Sequence, residues 1–147
     1  MDQTDAAAIA AWTYEPPYSF YDWTADADDL ALLLDAETRE GRFFSVDDEN
    51  GDLVGFFEFR VEGPDVVVGL GLRPNLTGGG LGQRFVGAGL DFACERFAPA
   101  GCFRLSVATF NERAIRVYER CGFQPARTYD HATNGGVHRF MEMRRPV

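Results

Sequence analysis

The stretch Leu72-Arg73-Pro74-Asn75-Leu76-Thr77-Gly78-Gly79-Gly80-Leu81-Gly82 follows an apolar run and precedes an amphipathic segment that begins near Leu81. The run from Val66 to Leu72 is almost continuously apolar, which predicts a strand at a buried central position of a sheet. Because glycine has no Cβ atom, the turn can be tight and approach a ligand closely, and the first amides of the following helix have no partner within it. The stretch therefore predicts a site for a phosphate or pyrophosphate group. By itself it is explained equally well as a surface loop rich in glycine.

A second informative stretch, Phe110 to Phe123, reads Phe-Asn-Glu-Arg-Ala-Ile-Arg-Val-Tyr-Glu-Arg-Cys-Gly-Phe and predicts a short helix after an apolar strand. Asn111 lies at or near the N-cap of this helix, and Gly122 lies just past its end. Positions 111, 114, 115 and 118 share one face at about 3.6 residues per turn, so the Asn amide, the Ala methyl and the Tyr118 hydroxyl point the same way. Alone, this pattern is that of a capping Asn and a half-buried Tyr on an ordinary helix.

Together, the two stretches resemble the GNAT superfamily of acetyl-CoA-dependent N-acetyltransferases, and the resemblance runs from about Ala6 to the C-terminus. It rests on the order strand, Arg-Pro-x-x-x-Gly-Gly-Gly-Leu-Gly, long helix, strand, Asn-x-x-Ala-x-x-x-Tyr-x-x-x-Gly-Phe. The resemblance implies that the glycine turn holds the pyrophosphate of acetyl-CoA, the co-substrate, and that the strand before it and Asn111 contact the pantetheine arm. It implies that Tyr118 protonates the departing thiolate, as a positioned phenol can. The implied cofactor-binding residues are Leu70, Leu72, Arg73, Thr77, Gly78, Gly79, Gly80, Leu81, Gly82, Gln83, Asn111 and Tyr118.

This chain departs from the family pattern at two places. Thr77 stands where the family usually has Gln or Arg, so a side-chain contribution to phosphate binding is replaced by a shorter hydroxyl, although the backbone amides should suffice. The chain also starts at a helix, whereas the family normally places a strand before that helix. Either the sheet lacks its first strand or the natural start lies upstream, and an uncovered sheet edge would favour a homodimer.

The fold class expected is α/β in its mixed α+β form, with a single GNAT-like domain over residues 1–147. A mixed central β-sheet should carry helices on both faces, without the first strand of the family. The predicted helices are Asp5 to Thr13, Asp26 to Arg39, Leu81 to Phe97 and the one capped by Asn111. The predicted strands are Arg42 to Val46, Leu53 to Val61, Val66 to Leu72, Cys102 to Ala108, Gln124 to Tyr129 and Val137 to Arg144.

Composition excludes several classes of function. The chain has 147 residues, 46% of them hydrophobic, and a formal net charge of −9. This acidity argues against nucleic acid as a partner. No leader peptide or membrane-length apolar run is present, which predicts a cytoplasmic protein without a membrane partner. The sequence contains no lysine, so a nucleotide-binding P-loop is excluded. Cys94, Cys102 and Cys121 lack metal-site spacing, so we expect buried reduced thiols and no metal.

The acceptor side is predicted from the stretch between the first two helices, which is dense in aromatic residues and carries two prolines. The resemblance places this connection over the acceptor side of the sheet. Tyr14, Tyr18 or Trp23 would make cation–π contacts with an amine, and Glu15 or Asp22 would pair with its ammonium group. The alternative is that these aromatic rings simply cover the sheet. An acidic surface favours a cationic amine, but compositional bias explains it at least as well.

The attacking amine must be neutral, so a base or a water chain has to remove its proton. In the ribosomal-protein alanine acetyltransferase branch of the family, the base is a Glu five residues before the Asn, and Ser106 occupies that position here. Glu58 is the candidate base, and a solvated strand residue paired with Arg60 or Arg139 is the plainer interpretation. The two histidines, His131 and His138, are assigned no role.

The function expected is direct transfer of an acetyl group from acetyl-CoA to a primary amine of a small molecule or peptide within a ternary complex. Backbone amides near Leu72 would polarise the thioester carbonyl, and Tyr118 would protonate the thiolate. The alternative is a non-catalytic acyl-CoA-binding sensor or regulatory module, which the lack of an obvious base leaves open.

Overall fold

A computed structural model describes all 147 residues, as six strands, five α-helices and three short 3₁₀ turns. The strands are β1 (Phe43–Asp47), β2 (Leu53–Glu62), β3 (Asp65–Leu72), β4 (Cys102–Ala108), β5 (Gln124–Thr133) and β6 (Gly136–Pro146). The helices are α1 (Gln3–Ala10), α2 (Ala27–Leu34), α3 (Ala36–Arg39), α4 (Gly82–Phe97) and α5 (Glu112–Arg120). The 3₁₀ turns are Tyr18–Tyr21, Trp23–Ala25 and Pro74–Leu76.

All six strands form one mixed sheet in the order β1-β2-β3-β4-β6-β5. Only the β3–β4 pair is parallel, and the other neighbours are antiparallel. The predicted central position of the Val66 to Leu72 run is confirmed, because β3 lies inside the sheet with neighbours on both sides. The chain enters α1 without a preceding strand, as predicted from its first residues.

The parallel pair separates after two rungs. Strands β3 and β4 are paired only at Val66 with Phe103 and at Val67 with Arg104. In an antiparallel ladder, successive residues of a strand direct their main-chain N–H and C=O groups to alternate sides of that strand. The bond from the Arg73 amide to the Val54 carbonyl sets this alternation, so the main-chain groups of Val68, Leu70 and Leu72 point away from β2 and toward β4. Beyond the last rung, these groups have no strand partner.

Helices cover both faces of the sheet, which confirms the predicted architecture. On one face, α4 and α5 pack on a cluster of aromatic and aliphatic residues that includes Phe57, Phe59 and Phe103. On the other face, α1 and α2 cover Phe43 and Phe56 at the β1–β2 end of the sheet. None of the helices combines the length and the apolar composition needed to cross a membrane.

Three local predictions were wrong. The single helix predicted from Asp26 to Arg39 is two helices, because Asp35 is extended (ψ 118°) and its carboxylate accepts the Thr38 amide at 2.8 Å to begin α3. Strands β5 and β6 run closer to their turn than predicted, since Asn134 (φ 52°) and Gly135 (φ 73°) both adopt the left-handed conformation of a tight hairpin. Cys94 is exposed rather than buried, although all three cysteines are free.

Candidate active site

A cleft of about 700 Å³ opens where β3 and β4 separate. Its walls come from the ends of both strands, the start of α4, one face of α5 and the connection between α1 and α2. We call this connection, residues 14–26, the strap. No group of three or more His, Cys, Asp or Glu side chains in the protein is arranged to hold a metal ion.

The glycine turn forms one end of the cleft and presents a row of backbone donors. Gly78 (φ 73°) and Gly80 (φ 82°) adopt the left-handed conformation that residues with a Cβ atom disfavour. Helix α4 then begins without a side-chain cap, and no amide from Gly78 to Arg84 donates to a main-chain carbonyl. These donors and the positive end of the helix dipole suit an anion.

The structure brings most of the predicted cofactor-binding residues to this cleft. Those that line it are Leu70, Leu72, Thr77, Gly78, Gly80, Gly82, Gln83, Asn111 and Tyr118, whereas Gly79, Leu81 and Arg73 do not. The Arg73 guanidinium instead donates to the Asn75 side chain at 2.7 Å and to the Leu53 carbonyl at 3.0 Å. The Thr77 hydroxyl donates to the Pro74 carbonyl at 2.8 Å, so its hydrogen is committed within the turn.

Three arginines on α5 also line the cleft, and they were not predicted from the sequence. Arg113, Arg116 and Arg120 all contribute to the lining. A guanidinium nitrogen of Arg113 lies 3.4 Å from the point where a Cβ on Gly78 would stand, so this cation adjoins the glycine turn. The three arginines recur at intervals of three and four residues, a helix-face pattern that could have found them.

Asn111 and Tyr118 occupy the middle of the cleft. The buried Asn111 side chain caps α5, and its Oδ1 accepts the Ala114 amide at 3.1 Å. The Tyr118 ring packs edge-on against Phe123, with centroids 6.1 Å apart. Burial, with smaller effects from Tyr21 and Cys121, raises the pKa of the Tyr118 phenol well above its ordinary value. This phenol therefore holds its proton at neutral pH.

The strap crosses the split and is anchored on both sides of it. The Tyr14 hydroxyl donates to the Leu72 carbonyl at 2.7 Å on β3, and the Tyr21 hydroxyl accepts the Ala108 amide at 3.1 Å on β4. Burial, together with the charge of Asp22, raises the pKa of Tyr14 to about 12. The Asn134 side chain donates to the Phe20 carbonyl at 2.7 Å, which joins the strap to the β5–β6 hairpin.

The predicted acceptor residues have different surroundings. Tyr14, Tyr18 and Trp23 line the cleft, but Glu15 is exposed and lies outside its lining. The Tyr18 ring is already covered by the Arg113 guanidinium, 4.0 Å from its centroid. The Trp23 ring packs against Phe43 and Phe56, with centroids 6.2 and 5.6 Å away.

Four carboxylates from the strap, α2 and β2 also line the cleft. They are Asp22, Asp26, Asp29 and Glu58. Glu58 Oε1 accepts Arg42 Nε at 2.7 Å, and Oε2 lies over Gly69, 3.0 Å from where a Cβ would stand. Burial and the neighbouring charges of Asp26 and Glu58 raise the pKa of Asp29, while His131 opposes the rise.

Comparison with known proteins agrees with this geometry. Residues 5–123 match the model of the acetyltransferase (GNAT) family. The mycothiol acetyltransferase of Mycobacterium sp. (strain JLS) is 37% identical over 87 residues, which are 56% of this chain and 29% of that protein. The mycothiol acetyltransferase of Acidimicrobium ferrooxidans is 36% identical over 105 residues, 65% of this chain and 33% of that protein. The chain spans about a third of the length of these curated relatives.

Solved structures show the same fold at low identity. The spermidine N-acetyltransferase from Vibrio cholerae in complex with CoA and spermine has a TM-score of 0.77 at 20% identity, covering 99% of this chain and 92% of that one. A GNAT-family acetyltransferase from Bacillus anthracis has a TM-score of 0.76 at 15% identity, covering 99% and 91%. The similarity extends over nearly the whole chain.

Proposed function

This chain belongs to the acetyltransferase (GNAT) family, and from that premise we propose that it transfers the acetyl group of acetyl-CoA to a primary amine of a small molecule or peptide. One observation carries the proposal. The uncapped start of α4, the unpaired edges of β3 and β4 and the Tyr118 phenol all line a single cleft. An anion site, a split edged by unpaired main-chain groups and a protonated acid are the parts that binding and cleaving an acyl-CoA thioester requires.

The two halves of acetyl-CoA have separate sites in this proposal. The diphosphate is bound by the unpartnered amides from Gly78 to Arg84, with Arg113 beside them. The pantetheine arm lies in the split and takes the place of the missing strand partner, with hydrogen bonds to the main-chain groups of Val68 and Leu70. The Leu72 carbonyl is already bonded to Tyr14, so the arm pairs with β3 only up to that point.

The reaction needs one acid and one base. The amine nitrogen attacks the acetyl carbonyl carbon, the C–S bond breaks, and the sulfur takes the proton of Tyr118. Glu58 is proposed to accept the proton of the attacking amine, because its Oε2 lies over Gly69 at the edge of the split. Ser106, on the facing strand, carries no group that can do this. No metal or covalent enzyme intermediate is required.

A cationic amine suits the acceptor end, because carboxylates and aromatic rings line it together. Glu15 plays no part in this version, since it lies outside the cleft. The acceptor is drawn toward Asp22, Asp29 and Glu58, while Tyr14 and Trp23 form the aromatic walls. The Arg42 partner of Glu58 leaves one carboxylate oxygen free for the substrate.

The experiment that tests this function is acetyl-CoA-dependent release of free thiol, measured with a panel of amines and basic peptides. The panel includes spermidine and spermine, named with the Vibrio cholerae structure. Calorimetry with CoA measures binding separately. Thiol release that depends on an amine supports the proposal, and absence of CoA binding overturns it. Binding without release would instead support a non-catalytic acyl-CoA sensor, the alternative favoured by Ser106 at the position of the base.

A further inference from the structure

We propose that Tyr21 is a further catalytic residue, whose hydroxyl donates a hydrogen bond to the carbonyl oxygen of the acyl group as the amine attacks it. This inference rests on the proposed function, since it assigns a role within the same site. Tyr21 belongs to the strap, and no sequence pattern singled it out from the neighbouring aromatic residues.

The first observation is where the Tyr21 oxygen lies. The bond from the Thr109 amide to the Arg139 carbonyl sets the alternation of the β4–β6 ladder, so the Ala108 amide faces β3 rather than β6. Pairing with β3 has already ended at Arg104, and the Ala108 amide donates to the Tyr21 hydroxyl at 3.1 Å instead. The phenol oxygen therefore occupies the split itself, between the two separated strands.

The Tyr21 hydroxyl also retains a proton that it can donate in a hydrogen bond. A tyrosine hydroxyl has one proton to donate and two lone pairs that accept. Ala108 uses one lone pair, and the Asn111 side chain, whose Oδ1 accepts the Ala114 amide, acts as a hydrogen-bond donor that lowers the pKa of the phenol. Burial raises the pKa of Tyr21 more than the hydrogen bonds from Asn111 and Ala108 lower it, so the phenol stays neutral. Tyr21 is therefore poorly placed to act as a base, and its proton has no acceptor within the protein.

The partner of the Tyr21 proton is the oxygen of the acyl carbonyl group. Attack by the amine moves the π pair of the C=O bond onto oxygen, which becomes the strongest acceptor in the split. Collapse then re-forms the C=O bond as the C–S bond breaks, and the sulfur takes its proton from Tyr118 on α5. Tyr21 reaches the split from the strap, on the opposite side of the sheet from α5. The two phenols thus serve two different atoms, oxygen and sulfur.

The variant Tyr21→Phe removes the hydroxyl, together with its bond to the Ala108 amide, and keeps the ring contacts that also hold the strap. The Tyr21 ring packs against Phe20 and Phe110, with centroids 5.3 and 6.0 Å away, and these contacts do not involve the hydroxyl. Loss of an oxyanion donor typically lowers kcat by about 10²- to 10³-fold, and we expect a loss near the lower limit because β3 amides remain. The dissociation constant of acetyl-CoA should change by no more than about twofold.

An infrared measurement separates a catalytic hydroxyl from a structural one. Acetyl-CoA labelled with a heavy isotope at the acetyl carbonyl carbon is bound to the protein without an acceptor, and its C=O stretch is recorded. A hydrogen bond lowers this frequency, so the band in the wild type should lie below that of free acetyl-CoA and rise in Tyr21→Phe. The control is Tyr129→Phe. Tyr129 does not line the cleft, and its hydroxyl donates to Ser106 at 2.8 Å. This variant should leave both kcat and the C=O frequency unchanged.

The outcomes discriminate clearly. A lower kcat with a raised C=O frequency in Tyr21→Phe supports the inference. A lower kcat with an unmoved band makes Tyr21 an anchor of the strap only, and wild-type kcat removes it from the chemistry; either result overturns the inference while the proposed function stands. If the variant does not fold, the wild type is sufficient for the test. A C=O band of bound acetyl-CoA at the frequency of free acetyl-CoA then overturns the inference. Failure of the wild type to bind acetyl-CoA overturns the proposed function as well.

Discussion

The hydroxyl of Tyr14 donates a 2.7 Å hydrogen bond to the carbonyl oxygen of Leu72, the last residue of β3 before the glycine turn. This bond ties the strap to the strand that leads into the glycine turn. Tyr21 makes the matching contact with β4, so the strap spans the split from edge to edge. The position of the strap and the width of the split are therefore coupled.

Replacement of Tyr118 by Phe should lower kcat by about 10²- to 10⁴-fold, the usual contribution of a positioned general acid. The ring contact with Phe123 is kept, so acetyl-CoA affinity should stay close to that of the wild type. Thiol release and calorimetry measure the two quantities. Equal loss of both, or of neither, would remove Tyr118 from the acid role.

Replacement of Glu58 by Gln should lower kcat by about 10²-fold or more, because the amide cannot accept the amine proton. The matched control is Glu62→Gln on the same strand, which loses its ion pairs with Arg60 and Arg104 outside the main cleft and should retain activity. Activity of both variants is followed by thiol release at saturating acetyl-CoA. Full activity of Glu58→Gln would transfer the role of base to another group, with Asp29 the nearest candidate.

Replacement of Gly80 by Val should weaken acetyl-CoA binding by about tenfold or more. A β-branched residue at φ 82° carries about 1–3 kcal/mol of strain, which the turn relieves by moving its amides. Gly87→Ala is the matched control, because open space surrounds this glycine within α4. It should leave affinity unchanged and raise the free energy of unfolding by about 0.5–1 kcal/mol. Calorimetry and urea denaturation supply the measurements, and unchanged affinity in Gly80→Val would contradict the anion site.

Replacement of Arg113 by Ala should weaken CoA binding by about 10- to 150-fold, since a hydrogen bond to a charged group contributes about 1.5–3 kcal/mol. The loss should fall with added salt. Turnover of S-acetylpantetheine, which lacks the diphosphate, should stay unchanged, and this comparison locates the contact. Arg96→Ala is the control, because this arginine lies at the other end of α4 over the Phe97 ring. Equal losses with both ligands would assign Arg113 to the shape of the cleft instead.

Protonation of Asp26 in acid should weaken the attachment of the strap to the β5–β6 hairpin. The Asp26 carboxylate accepts the Asn134 amide at 2.9 Å and the Thr133 hydroxyl at 3.0 Å, and also caps α2. Hydrogen bonds from the Asn134 amide, then from the Asp29 amide and the Thr133 hydroxyl, lower the pKa of Asp26 below its ordinary 3.8. A lowered pKa in the folded state contributes stability that is present above pH 3.8 and disappears as the pH falls through the folded value.

Urea denaturation of the wild type and Asp26→Asn at a series of pH values tests this linkage. The difference in their free energies of unfolding should be constant above about pH 5 and should shrink below it. A difference that stays the same down to pH 2 would show that the charge of Asp26 has no part in holding the strap.

Local patterns predicted most of the scaffold of the site. Left-handed glycines at the turn, Asn111 as a cap and Tyr118 on the same helix face are consequences of backbone preference and helical period. These properties act over a few residues, so they can be recognised without knowledge of the fold. The break at Asp35 was missed because an Asp inside an apolar helical pattern can either be tolerated or begin a new helix.

Side-chain destinations were predicted less well, because their partners lie far along the chain. Arg73 was expected at the cofactor, yet it bonds to Leu53, and Glu15 was expected at the acceptor, yet it lies outside the cleft. Tyr21 went unnoticed among similar aromatic residues, although its partner is an amide 87 positions away. Nothing in the residues around Tyr21 indicates that contact.

The sequence by itself determined the family, through its paired motifs, and the order of strands and helices and the left-handed glycine turn, which depend on short-range conformational preference or on periodic burial. Only the tertiary structure decided which polar groups meet in the split. That meeting depends on β3 and β4 separating after Val67 and Arg104, which leaves main-chain groups without strand partners, two of which bond to the strap. Which main-chain N–H and C=O groups remain unpaired depends on how two distant strands pair, and no local stretch of residues specifies that pairing.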